Sequence, residues 1–230
     1  MLDLHTLANL LIVSFLLAPP TAASPLWPNT TTPAAPPTAC STPTCQTFYP
    51  TSYSILNSRY PTWDQTPLHG NQDFFMLLRQ RADTFQVATQ VQFSLPVDNG
   101  TENSSSTCIL QFQLPSKDMQ TVLGPAPVVN VYQVTREAGV PATWDTYEPA
   151  RNASVLVPVF GAVNGSVEAQ QRIWNQTGGL IDVGAGECNG TLTWQMGMAF
   201  EGGDGVNYWD FVGVEPPFSP VQGFRVVTGC

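Results

Sequence analysis

Four carboxylates and two tryptophans lie close together near the C-terminal end of this 230-residue chain: Glu201, Asp204, Asp210 and Glu215, with Trp194 and Trp209. Glycoside hydrolysis needs two carboxyl groups roughly 5–10 Å apart, one acting as acid and the other as base or nucleophile. Indole faces stack on sugar rings, so the group has the composition of a carbohydrate-active site. The plainer reading makes Asp204 a turn residue, Trp194 a core residue and the remaining carboxylates solvated. Nothing in the spacing marks a perturbed pair, and the chain leans toward this plainer reading.

Other catalytic chemistries lack their parts. Beyond the first 23 residues the only histidine is His69, in Leu68-His69-Gly70, and no Gly-x-Ser-x-Gly elbow occurs. One histidine cannot build a His-rich zinc or copper site. Gly202-Gly203-Asp204-Gly205 alone does not supply the six or more oxygens of a calcium site. No metal and no cofactor is expected, and the chain leans away from being an enzyme. For ligand stacking, Trp63, Trp144 and Trp174 sit in turn-rich or short helical contexts, and Trp209 shares a strand with Tyr208 and Phe211 and can face either way.

The cysteines carry firmer chemistry. Five are present, which in an oxidising compartment gives two bridges and one left over. The expected domain bridge is Cys108–Cys188, with Cys40–Cys45 closing a small local loop and Cys230 remaining. Cys108–Cys230 and Cys188–Cys230 are the rival pairings.

Several features indicate that compartment. Leu7 to Ala18 is an apolar run too short for a membrane span, followed by Pro-Pro and a small-x-small site, so residues 1–23 are expected to be a cleaved signal peptide. Asn29, Asn99, Asn103, Asn152, Asn164, Asn175 and Asn189 each head an Asn-x-Ser/Thr sequon, where chance would give about two. Residues 24–47 are uncharged and rich in Pro, Thr, Ser and Ala, the composition of an O-glycosylated linker. Net charge is −9 with one lysine, Lys117, which argues against nucleic acid or an anionic membrane as partner. No apolar tail follows Gly229, so no membrane anchor is expected after signal cleavage.

The elements that must position these residues read as strands. Thr84–Leu95 alternates Phe85, Val87, Val91, Phe93 and Leu95 against Gln86, Gln90, Gln92 and Ser94, the pattern of a half-buried antiparallel strand. Cys108–Leu114 repeats it, and the two read as a hairpin whose loop carries Asn99 and Asn103. Thr191–Phe200 alternates again, and Gly202 to Gly205 signals a hairpin turn into Val206–Val212. Asp73–Arg81, Val128–Val134, Val155–Phe160 and Gly223–Cys230 are further strand candidates. Phe48 to Trp63 reads as irregular, and 178–190 as turn-like. Ser166 caps the best helical candidate, Val167–Trp174. Short, regularly spaced strands with Gly/Pro turns predict an all-β fold over residues 48–230: an antiparallel β-sandwich, jelly-roll or Ig-like, with at most one short helix.

One family shows this order of elements. Phe48-Tyr49-Pro50 is followed by Gln90-Val91-Gln92-Phe93-Ser94-Leu95-Pro96 and Thr107-Cys108-Ile109-Leu110-Gln111-Phe112-Gln113-Leu114-Pro115. Val129-Asn130-Val131-Tyr132, Trp144 and the closing Gly223-Phe224-Arg225-Val226-Val227-Thr228-Gly229-Cys230 come after these. Over about residues 48–230 the chain resembles the fungal domain named for the C-terminal region of the But-two protein. The resemblance implies a secreted or cell-surface β domain. The family name implies a protein-binding role in a ubiquitin-like pathway.

The expectation is therefore a secreted, non-enzymatic glycoprotein of the cell wall or extracellular space, a binding or structural module. Its partner would be cell-wall polysaccharide or another extracellular protein. A carboxylate-dependent carbohydrate-active enzyme is the alternative, and the ubiquitin-like binding role the second alternative.

Overall fold

A computed structural model describes residues 45–69, 73–80, 84–96, 107–125, 127–151, 157–199 and 205–229. The expected signal peptide and most of the Pro/Thr/Ser-rich linker lie outside these residues, as do Cys40, Cys230, Asn29, Asn99, Asn103, Asn152, Glu201 and Asp204.

The described chain is an all-β sandwich of two antiparallel sheets. The smaller sheet has the order β1 (Gln46–Phe48), β12 (Gly223–Thr228), β5 (Thr107–Gln113) and β9 (Leu180–Glu187). The larger runs β6 (Gln120–Leu123), β11 (Asn207–Val212), β3 (Phe74–Arg79), β4 (Gln86–Ser94), β10 (Thr191–Met198), β7 (Val128–Val134) and β8 (Gly161–Asn164), with β2 (Ser52–Asn57) added along β4.

The core forms where the apolar faces of the two sheets meet. Phe112 and Phe224 of the smaller sheet stack at 4.6 Å, and Phe75 and Phe211 of the larger at 4.5 Å. Across the gap, Phe112 meets Phe211 at 5.5 Å and the edge of Trp209 at 5.8 Å. Trp194 packs edge-on against Phe93 at 5.4 Å. Such pairs add to the burial of area that dominates core stability.

Strand identity follows the alternation closely, but strand partnership does not. β4 and β5 are not a hairpin: they belong to opposite sheets and face each other across the core. β10 and β11 are not a hairpin either, because β10 pairs with β4 and β7 while β11 pairs with β3 and β6. Alternation reports which face is apolar, and it carries no information on which strand lies alongside.

Two segments expected to be irregular are strands. In β2, Tyr53, Ile55 and Leu56 are buried, and the strand pairs with β4 from Ser52↔Gln92 to Asn57↔Val87. β9 contains Gly184 and Gly186, where a Cβ would press on the Phe160 ring, so these glycines admit an aromatic ring onto the sheet rather than ending a strand. Residues 157–160 are not a strand; the strand at this point is β8, four residues on.

The helix is present as expected, as α2 (Val167–Thr177). Ser166 Oγ accepts from the Ala169 N–H at 3.3 Å, and Gly178 closes the helix in the left-handed conformation at φ 64°. One further helical turn, α1 (Glu148–Arg151), follows a 3-10 turn at Trp144–Thr146. Among the described residues no helix is long and apolar enough to cross a membrane.

The polar face of β4 and β10 is not solvated. Gln90, Gln92, Thr193 and Gln195 are buried, because the chain from Glu137 to Glu148 lies over them. Gln92 donates to Glu137 O and to Thr193 Oγ1, both at 3.0 Å, and its Oε1 accepts from the Gly139 N–H. Gln195 donates to Gln90 Oε1 and to Thr146 O, and accepts from the Glu148 N–H at 2.8 Å. Beneath this cover Leu56, Ala88, Ala142 and Tyr147 form a second, small core.

A disulfide ties Cys108 of β5 to Cys188 just beyond β9, with Cα atoms 5.1 Å apart. Cys45 is also disulfide-bonded, and its expected partner, Cys40, lies outside the described residues.

Candidate functional site

The carboxylate cluster near the C-terminus does not assemble from the residues the spacing suggested. Asp210, on β11, accepts from the Tyr208 hydroxyl of its own strand at 2.6 Å and from the Thr121 N–H of β6 at 3.1 Å, so both its oxygens are engaged within the sheet. Trp209 is only 1% exposed and its Nε1–H donates to Gln120 Oε1, which removes it as a stacking surface. Trp194 is buried as well.

Glu215 is placed differently. It shares a cavity of about 420 Å³ with Asp73, Gly213, Val214, Pro216 and Phe218. The loop that follows Glu215 contains cis peptide bonds at Pro216-Pro217 and Ser219-Pro220. Partial burial raises the Asp73 carboxyl above its ordinary range. Burial does the same to Glu215, and the negative charge of Asp73 adds to it. Tyr53 stands behind the pair. Its hydroxyl is pushed far above the ordinary tyrosine range by full burial, is drawn back by a backbone hydrogen bond from Phe224, and is raised again by the charges of Asp73 and Glu215. Asp73 was missed from sequence because it abuts an apolar strand far from Glu215 in the chain. The strand pairing Phe74↔Val212 and the bond from the Gly213 N–H to Asp73 O at 2.8 Å bring the two together.

The remaining tryptophans divide by exposure. Trp63 is 65% exposed and stacks on Tyr60, itself 49% exposed, with ring centroids 5.9 Å apart and planes at 28°. The loop that presents them is fixed. Trp63 N–H donates to Tyr60 O, Tyr60 N–H to Asn57 O, and Asp145 N–H to Pro61 O, the last bond tying the loop to the segment that covers β4 and β10. Arg59 in the same loop lies 4.2 Å from the centre of the Phe85 ring. Tyr60 was missed as Trp63's partner, although Tyr60-Pro61-Thr62-Trp63 places two aromatics three apart in a proline turn. Trp144 is half-buried against Tyr147 at 5.0 Å. Trp174 is 41% exposed and lines a groove of about 340 Å³ between α2 and the edge strand β6, with Val122, Val167 and Lys117.

A cavity of about 790 Å³ opens beside the end of β7 and the start of β10. Its walls include Gln133, Thr135, Arg136, Val159, Phe160 and Asn189.

The three sequon asparagines among the described residues, Asn164, Asn175 and Asn189, are all exposed. Asn164 precedes α2 and accepts from the Ser166 N–H. Asn175 stands on α2 itself rather than in a loop, and Asn189 lies in the turn between β9 and β10. Among the described residues no group of three or more His, Cys, Asp or Glu side chains could hold a metal ion. No protein-family model and no curated protein matches the chain.

Proposed function

We propose that the protein is a secreted, non-enzymatic β-sandwich glycoprotein of the cell wall or extracellular space, and that it binds polysaccharide through Trp63 and Tyr60. The observation that carries the reading is the exposed, stacked Tyr60–Trp63 pair on a loop held by backbone hydrogen bonds. A rigid aromatic surface in water offers a sugar ring a face to stack on and loses little entropy on binding. The fold supports the extracellular part of the reading. The smaller sheet carries a disulfide from β5 to the residue after its neighbour β9, and such bridges persist in oxidising compartments. The exposed sequons agree with it.

Binding to insoluble β-glucan and chitin, together with a glycan array, tests the reading. Trp63→Ala is expected to weaken binding at least tenfold while leaving thermal stability within about 0.5 kcal/mol, the range of surface substitutions. Equal retention of the variant and the parent would remove Trp63 from the site.

A second reading has its own observation. Asp73 and Glu215 share a cavity and both hold protons more tightly than ordinary carboxyls, as a general acid must. This reading keeps Glu215 from the expected carboxylate set and replaces its partners by Asp73. Release of reducing sugar that disappears in Glu215→Gln would favour it over the binding module.

A further inference from the structure

The cavity beside β7 and a sequon meet at one point. Asn189 and Thr191, first and last residues of Asn189-Gly190-Thr191, both line the cavity beside β7. The asparagine is exposed and stands where the chain turns from β9 into β10. This turn is held on both sides: Cys188 is bridged to Cys108, and Gly190 O accepts from the Leu95 N–H at 2.8 Å. A group attached to Asn189 therefore has a fixed root.

The opposite wall suits a sugar. Val159 is 51% exposed and Phe160 half-buried, with the Phe160 ring held by Trp194 at 5.8 Å and lying over the glycines of β9. Polar groups converge beside this apolar strip. Gln133, Thr135 and Arg136 line the same cavity. An apolar ring face bordered by donors and acceptors matches an N-acetylhexosamine, which has one apolar face and a rim of hydroxyls and an amide. A cavity of about 790 Å³ falls within the usual range for sites that hold small ligands.

We infer that this cavity is occupied by the protein's own glycan, carried on Asn189, whose first N-acetylglucosamine units lie on Phe160 and Val159. The inference rests on the secreted reading, because the modification requires the glycosylating compartment. Attachment joins the Asn189 amide nitrogen to C1 of the first sugar. The bond from C1 to the lipid-diphosphate donor breaks, the lipid diphosphate leaves, and the amide nitrogen gives up one proton. The docked glycan covers apolar surface at the end of the sandwich and holds the β9–β10 turn against residues 158–160.

The full chain secreted from a eukaryotic culture provides the test. Glycopeptide mass spectrometry gives occupancy at Asn164, Asn175 and Asn189, and timed digestion of the native protein with peptide N-glycosidase gives a release rate at each site. The Asn189 glycan is expected to be released at least tenfold more slowly than those at Asn164 and Asn175, with the difference lost after denaturation. Phe160→Ala should bring the Asn189 rate up to that of the other two. Should that variant fail to fold, Asn189→Gln serves instead: amide exchange at 133–136 and 158–160 should quicken severalfold, and unchanged exchange would overturn the inference. Equal release rates in the native protein would overturn it too, as would an empty Asn189 beside occupied Asn164 and Asn175. If none of the three sites is occupied, the secreted reading fails, and the inference fails with it.

Discussion

Gln195 and Gln90 stand opposite each other on β10 and β4, both buried, with the Gln195 side-chain amide donating to Gln90 Oε1 at 3.0 Å. The same Gln195 amide also closes bonds to Thr146 O and from the Glu148 N–H. A strand face that reads as polar and solvent-facing is thus the interior of a second layer. Its glutamines satisfy the backbone of the segment lying over them, as buried polar groups must.

Gln195→Leu should therefore behave as a core substitution. It leaves the Glu148 N–H, Thr146 O and Gln90 Oε1 without their partner, and each unsatisfied buried group costs about 1–3 kcal/mol. The expected loss is at least about 3 kcal/mol in urea unfolding. A cost below about 0.5 kcal/mol, as at a surface position, would show that residues 137–148 do not cover this face.

Tyr147 offers a second view of the same layer. It is buried with its hydroxyl against Gly197, where any Cβ would collide with Tyr147 Oη. Gly197→Ala should cost about 1–3 kcal/mol by overpacking, and combining it with Tyr147→Phe should recover part of that loss. Additive losses in denaturant melts would separate the two residues.

The Cys108–Cys188 bridge spans 80 residues of chain. A loop of this length gives an unfolded-state restriction of about 4 kcal/mol, so Cys108→Ala with Cys188→Ala should lower stability by about that amount. Peptide mapping without reduction should recover the two cysteines in one linked fragment. A free Cys108 would contradict the structure.

Asp73 and Glu215 give a pH dependence of defined sign. Both carboxyls are raised above their ordinary values in the folded state, so the folded protein holds their protons more tightly than the unfolded chain. Their contribution to stability is fully present below the unfolded value of about 4 and is lost as pH rises through the folded values. Melting temperatures of the parent and of Asp73→Asn/Glu215→Gln should therefore converge toward pH 3, and the variant should be the more stable at pH 7. A parent more stable than the variant at pH 7 would mean that the pair is held by a positive partner.

Several elements were legible because local sequence signals fix them. β7 spans Val128–Val134 as its β-branched run suggests, and α2 begins at the Ser166 cap. β2 was hidden because its strand pattern is interrupted by turn residues of the neighbouring loops, and β9 because its glycines serve ring packing rather than turning. The covered face of β4 was illegible for a different reason: glutamine looks the same whether water or a backbone satisfies it. The candidate sites follow the same division. Exposure at Trp63 could be read from its proline-rich turn, whereas the meeting of Asp73 with Glu215 depends on the pairing of β3 with β11.

The most direct measurement of the central claim is retention of the purified, secreted protein on insoluble polysaccharide, with the supernatant assayed for released sugar. Saturable binding that falls at least tenfold in Trp63→Ala is expected, with no reducing sugar released by the parent or the variant. Retention unaffected by Trp63→Ala, or sugar release that disappears in Glu215→Gln, would contradict it.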